Sequence, residues 1–521
     1  MIRLAFALFA LAFGGTCSRM WAQTFDHRYD PLHQMQQQNG WSIEQADSGR
    51  FVVFAASPFI APDSLFYSPI PVAILIDGSG TMVSEDSAFI ANQSLFPGFA
   101  NCSCKPRSGG FACGGSGDYL NDSTLHAVLY RCDAQGKFLW YRQYGSINEV
   151  WIGRQGVCVR DKGFVIAGET GLVDGFLIKT DSSGNEQWTR TYGSPTLWDT
   201  FIGADTTEDG GYFTCGLSYD ANFSTNMWVQ RLDSAGDVIW QKNWGSIYKD
   251  VDPHVTTCVD GNAVLGCTWS YAENFGSTRP YMAKLNKDDG SFIWQHQYGP
   301  LAFNAGLFYP KECADGGFIA AGLTYLTNYE QGLLLRTNSD GDSLWMRTYL
   351  YSDSLMTDGT GGFRDVVPTD DGGFAAVGTV FNSASGNDPP NYTQDVWVVK
   401  VDSFGCIVPG CQLLDGVTEN ITNMSDALSV FPNPVHDQLH VRIKLPLNFK
   451  TEGPLVLSII SLEGRIIKQQ VVPTSGSFPT GEGRDGADEL VIDVSGLSAG
   501  AYTVHLSDAH TWITGNKFII E

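Results

Sequence analysis

The chain has little charge, and least of the positive kind. Charged residues make up 17% of its 521 positions, and 32 basic residues face 56 acidic ones, for a formal net charge of -24. Nucleic acid and anionic membrane both need a basic surface, so neither is expected as a partner. Beyond the N-terminal stretch no apolar run reaches the ~18 residues that cross a bilayer, so no transmembrane segment is expected in the mature chain. The motifs G-x-S-x-G and H-E-x-x-H and phosphate-cradling glycine loops are all missing, which removes the common local signatures of serine hydrolases, zinc proteases and nucleotide enzymes. The 9 histidines are scattered. His436 and His440 lie four apart and are read as surface residues of one strand. No catalytic residue, metal ligand or cofactor is therefore assigned.

What is abundant is glycine (58 residues) and aromatic side chains (12%), and both recur in register. The stretch FLIKTDSSGNEQWTRTYG from Phe176 returns in varied form from Val128, Trp228, Tyr281 and Leu333. Its tryptophans Trp140, Trp188, Trp240, Trp294 and Trp345 are roughly 50 residues apart, a period that marks one supersecondary unit stacked many times. A glycine precedes each tryptophan by four residues (Gly136, Gly184, Gly236, Gly290, Gly341). An aromatic follows each by four (Tyr144, Tyr192, Trp244, Tyr298, Tyr349).

Ahead of each tryptophan unit stands an Asp/Gly turn and a short apolar strand ending in glycine, as in DGGYFTCG from Asp209 and DGGFAAVG from Asp371. Asp-Gly between apolar runs signals a hairpin, because glycine takes the positive φ that a tight turn demands. These aspartates are read as turn residues, not metal ligands. Each unit then reads as four antiparallel strands, and the chain holds seven hairpins and seven third strands. The expected fold class is all-β, with a seven-bladed β-propeller of four-stranded blades over residues 23–411. The last unit has no tryptophan strand after Asp402, and residues 24–30 are expected to supply it and close the ring.

On this reading the repeated indole anchors one blade on the next, burying ~150–250 Å². The segment LNKDDGSFIW from Leu285 is similar to the Asp-x-x-Gly-x-x-x-Trp repeats of quinoprotein-like propellers. That likeness is one of packing, and the cofactor-binding residues of those dehydrogenases cannot be placed here. Asp77-Gly78-Ser79-Gly80-Thr81 resembles the metal loop of adhesion domains, but Asp77 and Gly80 align with Asp181 and Gly184 of the repeat and are read as a turn.

Residues 1–22 read as a secretory signal: Arg3, the apolar core from Leu4 to Gly15, and Met20-Trp21-Ala22 before the cleavage point. Cleavage removes Cys17 and leaves an odd number of the 12 cysteines in a compartment where disulfides persist. Cys406 and Cys411 are expected to close a small loop. One further bridge is expected within the local cluster of Cys102, Cys104 and Cys113, with Cys102 and Cys113 as its candidates. The connections between second and third strands carry Tyr219, Phe223, Tyr271, Phe275, Tyr325, Tyr329 and Tyr392, which are expected to ring one face of the propeller. Aromatics with polar neighbours on such loops suit a glycan or a peptide.

A polar linker, residues 412–427, leads into a segment of different texture, residues 428–521, where alternating apolar strands and Gly, Pro and Asn turns imply a small immunoglobulin-like β-sandwich. Here Phe431-Pro432-Asn433-Pro434, Gly464-Arg465, the run through Gly496, Leu497, Gly500 and Tyr502, and Lys517 near the end resemble the C-terminal (type A) sorting domain of type IX secretion cargo. The resemblance implies recognition by the type IX machinery, export across an outer membrane, and a product that is secreted or held at the outer-membrane surface. The expected function is a non-enzymatic binding module for a glycan, a peptide or a surface component. The alternatives are an extracellular polysaccharide hydrolase with acids over the central channel, and a structural spacer of a surface layer.

Overall fold

A computed structural model describes residues 24–30, 38–60, 67–88, 95–98, 101–118, 124–171, 174–194, 198–219, 224–272, 277–299, 304–325, 330–352, 359–382, 394–408, 411, 428–445, 455–461, 466–472, 488–507 and 512–521. The expected signal, residues 1–22, and the expected linker, residues 412–427, lie outside these.

Seven antiparallel sheets follow one another along the chain. Blade 1 runs Asn39–Gln45, Phe51–Ile60, Tyr67–Ile76 and Met82–Ser87. Blades 3 to 6 repeat the order, from Trp151–Cys158 to Ser343–Tyr349. In blade 2 the first strand is broken into Leu95–Pro97 and Ser103–Cys104, both paired with Phe111–Asp118. Blade 7 takes three strands from Gly359–Pro368, Phe374–Asn382 and Gln394–Val401 and its fourth from Phe25–Tyr29, with Phe25 opposite Lys400 and Tyr29 opposite Val396. First and last parts of the chain thus share one sheet. The result is a seven-bladed propeller, with the first strand of each blade innermost and adjacent first strands in contact around the axis.

The burial pattern follows from radial packing. Second and third strands are sandwiched between neighbouring blades and are buried on both faces, as at Phe164–Gly168 and Phe176–Thr180. Both segments are therefore apolar in nearly every position. The fourth strand lies on the rim, and its burial alternates, as in Val238–Trp244.

Neighbouring blades are locked at the rim by one repeated device. The turn glycine before the fourth strand has a positive φ, which frees its face for an indole from the preceding blade. A Cβ on Gly184 would stand 2.9 Å from the Trp140 ring, and one on Gly341 2.8 Å from that of Trp294. The half-buried indoles of Trp240, Trp294 and Trp345 donate to the carbonyls of Lys287, Ser339 and Ser403 in the next blade, at 2.9, 3.1 and 3.1 Å. The aromatic four residues on donates its hydroxyl to the glycine carbonyl: Tyr144 to Gly184 (2.7 Å), Tyr192 to Gly236 (2.9 Å), Tyr298 to Gly341 (2.7 Å) and Tyr349 to Gly405 (2.6 Å). Trp244 replaces the tyrosine in blade 4 and donates instead to the Tyr281 hydroxyl at 3.1 Å. The closing strand repeats the device with Phe25 in the tryptophan position. Phe25 packs on Gly80 of blade 1, and the Tyr29 hydroxyl donates to the Gly80 carbonyl at 2.5 Å. Trp397 also donates to Asp26 at 2.6 Å across the closing pair.

The cysteines differ in part from expectation. Cys406 and Cys411 are bonded. The bridge proposed for Cys102 and Cys113 is not formed; they are buried thiols with sulfurs 3.4 Å apart, and Cys104 bonds Cys158 instead. Cys102 packs in the core between blades 1 and 2, whereas Cys104 faces blade 3, where Cys158 ends the inner strand with its Cα 5.8 Å away. Sequence proximity hid this pairing between blades.

The C-terminal segment is a sandwich of one sheet ordered Leu428–Phe431, Gln438–Ile443, Asp488–Asp493 and another ordered Ile466–Val471, Val456–Ser461, Gly500–Ser507, Trp512–Ile520. Leu439, Val441, Ile459, Val504, Leu506 and Phe518 fill its core. His436 lies before the strand that carries His440 and not within it.

A chain beginning at Asn39 lacks Phe25, Tyr29 and their contacts with blade 1. Loss of a buried aromatic side chain costs about 3–5 kcal/mol, so its melting temperature should fall by at least about 5 °C. An unchanged melting temperature would show that the ring does not depend on this strand.

Candidate functional site

The inner strands carry a bulge at matching heights. One extra residue is inserted opposite the second strand at Trp41 in blade 1, Arg154 in blade 3, Ile202 in blade 4 and Arg364 in blade 7. In blades 5 and 6 the irregularity covers Asp252-Pro253 and Phe308-Tyr309. In blades 3, 4, 6 and 7 the second strand accommodates it with the glycine that ends its apolar run. A Cβ on Gly216 would stand 1.6 Å from the Thr200 carbonyl, and one on Gly378 1.9 Å from the Gly362 carbonyl. Bulges re-aim side chains, and these send Trp41, Arg154, Ile202, Asp252, Phe308 and Arg364 together into a cavity of about 290 Å³ at one end of the channel. Asp252, Phe308 and Arg364 also line an adjoining cavity of about 570 Å³ with Tyr325 and Glu330.

Beneath this mouth the channel is plugged by hydrogen bonds that cross the ring. Gln155 of blade 3 donates to the Tyr309 hydroxyl of blade 6 at 2.8 Å and accepts from the Ala204 amide at 2.8 Å. Ser42 donates to Asp365 at 2.9 Å, and Lys311 donates to Asn101 at 2.7 Å. Buried polar groups that satisfy one another in this way hold their positions firmly.

The electrostatics of the mouth are mixed. Arg154 is ion-paired with Glu169. Asp252 has a left-handed backbone (φ 54°), an uncommon conformation for a residue with a Cβ. Burial raises its carboxyl pKa, against the opposing pull of Arg364 and Arg154. His254 is 2% exposed, and its Nδ1 has no hydrogen-bond partner among the described residues. Burial, with the charges of Arg364 and Lys311, pushes its pKa down to about 3, so the imidazole is neutral near pH 7. No group of three metal-ligating side chains occurs among the described residues.

Of the loop aromatics, Tyr219 and Tyr325 line the two cavities. Tyr271 turns outward, its hydroxyl bonded to Gln297 and its ring under Arg279 at 5.9 Å. Phe223, Phe275, Tyr329 and Tyr392 lie outside the described residues. Sequence reasoning missed Trp41, Arg154, Asp252, Phe308 and Arg364. For Arg154, Asp252, Phe308 and Arg364 the only signal was the glycine ending the second strand, which was read as part of a hairpin; Trp41 had none, because its blade places Phe54 and Ala55 there.

In the sandwich, Phe431-Pro432 and Asn433-Pro434 are both cis peptides. Asn433 accepts from the Ile519 amide (2.9 Å) and donates to the Lys517 carbonyl (3.3 Å), which ties this turn to the last strand. Phe431 stacks on His440 with centroids 5.2 Å apart. Tyr502 stacks on Phe518 and donates to the Ser498 carbonyl at 2.8 Å, Leu497 packs on the core, and Gly496 and Gly500 flank that turn. Lys517 is exposed on the last strand, and Gly464 and Arg465 lie outside the described residues.

The neutral, buried His254 must gain a proton on unfolding below its ordinary pKa of 6.5. Its stabilising contribution is complete above 6.5 and is lost as pH falls from there toward 3. Stability measured by denaturant between pH 7 and pH 4 should therefore fall less steeply in His254→Asn than in the parent. Equal slopes would show that the imidazole does not titrate in this window.

No curated protein matches the chain. Among solved structures, a protein of unknown function from Dyadobacter fermentans is 10% identical, with 73% of this chain and 99% of that one covered at a TM-score of 0.40. The NanB sialidase from Streptococcus pneumoniae is 8% identical, with 76% and 70% covered at 0.39. A protein of unknown function from Bacteroides caccae is 10% identical, with 60% and 93% covered at 0.35. None of them bears on what this chain binds. Residues 429–521 match the secretion system C-terminal sorting domain family. The sandwich is thus a type IX sorting domain, which marks the chain for export and for release from, or attachment to, the cell surface.

Proposed function

We propose that this chain is an exported binding module that seats its ligand over the propeller's channel mouth. Its export begins at the signal 1–22 and ends with recognition of residues 428–521 by the type IX machinery. The supporting observation is the convergence of six side chains, from six different blades, on one cavity above a hydrogen-bonded plug. Two of them are arginines and two are large aromatics, the residue types that carry binding energy out of proportion to their number. Tyr219 and Tyr325 extend the apolar lining, which suits the faces of sugar rings or the side chains of an extended peptide. The plug closes the axis below, so the mouth acts as a cup.

A hydrolytic reading rests on Asp252, whose carboxyl burial raises against the opposing pull of two arginines, a direction that suits an acid. A glycan array and a broad glycosidase screen on the full chain separate the two. Binding without turnover favours the module, and turnover lost in Asp252→Asn favours the enzyme. Trp41→Ala should weaken binding at least tenfold, as expected for a central aromatic anchor, and leave the melting temperature within a few degrees. Retention unaffected by this change would place the ligand elsewhere.

A further inference from the structure

We infer that the channel mouth is built for an acidic oligosaccharide, with the carboxylate of one uronate-type residue held by Arg364. The inference rests on the mouth being the binding site and adds the chemistry of what it takes.

Arg364 is the anomaly of the site. The chain has 56 acidic and only 32 basic residues, and its other well-covered arginines are committed. Arg28 pairs with Asp395, Arg154 with Glu169, Arg231 with Asp209 and Arg336 with Asp315. Arg364 is half-buried and, among the described residues, its side chain has neither a hydrogen bond nor an ion pair. It is nevertheless fixed in place. Its guanidinium lies 4.8 Å from the Phe308 ring centroid and 5.8 Å from that of Trp41. Two flanking rings orient the planar fork while leaving its donors free, and a carboxylate fits such a fork through two parallel hydrogen bonds.

The rest of the mouth selects among carboxylates. Asp252 is near enough for its charge to interact with those of Arg364 and Arg154, but its carboxyl has no hydrogen-bond donor among the described residues. His254 lines the same wall. A free acceptor beside a free guanidinium asks for a ligand that brings hydroxyl donors together with its negative charge. A uronate ring does this within one rigid body. An acidic peptide side chain brings the charge without the hydroxyls. A phosphate dianion would meet Asp252, Glu169 and Glu330 around the rim with too few cations to balance them. The two cavities meet at Arg364, Asp252 and Phe308, so the charged residue sits at the junction and the neighbouring sugars run to either side, over Tyr219 and Tyr325.

The test is calorimetric titration of the full chain with an oligogalacturonate, its methyl ester and polyglutamate. The acid should bind at least tenfold more tightly than the ester. Arg364→Gln should remove that difference by weakening the acid alone, and Arg364→Lys should restore part of it, since a point charge replaces the fork. Equal binding of acid and ester by the parent, or no binding of the acid, overturns the inference. Polyglutamate binding with the same dependence on Arg364 also overturns it, in favour of a peptide. If acid and ester bind equally and Trp41→Ala abolishes both, the mouth is the site and only its charge preference is wrong. If Trp41→Ala leaves both unchanged, the site itself is wrong. Should Arg364→Gln fail to fold, the comparison of acid and ester on the parent and on Arg364→Lys still decides.

Discussion

Four blades of the propeller share one close approach, between a glycine in the second strand and a carbonyl of the first. At Gly216 and Gly378 the backbones come so near that a methyl group would stand under 2 Å from the opposing oxygen. Only a residue without a side chain permits this, and the inner strand uses the space to bulge. A straight inner strand would direct alternate side chains into the blade interfaces on either side. In six of the seven blades the bulge turns a residue toward the axis. The small residue that looks like a packing detail is therefore what creates a site.

A second constraint acts at the opposite edge of each blade. The turn glycine before the outer strand receives the indole and the tyrosine hydroxyl of its neighbour, and the pair recurs from blade 2 round to blade 1 with few variations. The boundary between blades 1 and 2 departs from it. The outer strand Met82–Ser87 has neither tryptophan nor tyrosine, and Asp86 accepts from the Phe138 amide at 2.8 Å in their place. The interface most poorly locked at the rim thus adjoins the blade whose inner strand is broken, while the Cys104–Cys158 bridge ties that broken strand to blade 3.

The site has a composite origin. Six of the seven blades contribute side chains and none contributes a motif, so the cup exists only when the ring is closed. That makes the strand at Phe25–Tyr29 relevant to the proposed binding as well as to stability, because it holds the sheet that carries Arg364. The sorting domain is built on different terms. Its turn Phe431 to Pro434 and its last strand are joined by the Asn433 side chain, a local arrangement within one small sandwich.

What could be read from the residues alone was whatever depends on local pattern. Trp140 to Trp345 gave the period, Asp-Gly turns gave the hairpins, and Phe431 to Pro434 with the run through Tyr502 gave the tail its family. Each of these signals acts through neighbours a few residues away, so chain order preserves it. The disulfide partner of Cys104 and the lining of the mouth were not legible in that way. Cys158 belongs to another blade, and Trp41 and Arg364 are more than three hundred positions apart. They meet because the ring closes and because bulges, which leave a single glycine as their trace in the blade of Arg364 and none in that of Trp41, choose which side chain faces the axis. Tertiary structure alone decided the site, since the distances that define it run across the channel and not along the chain.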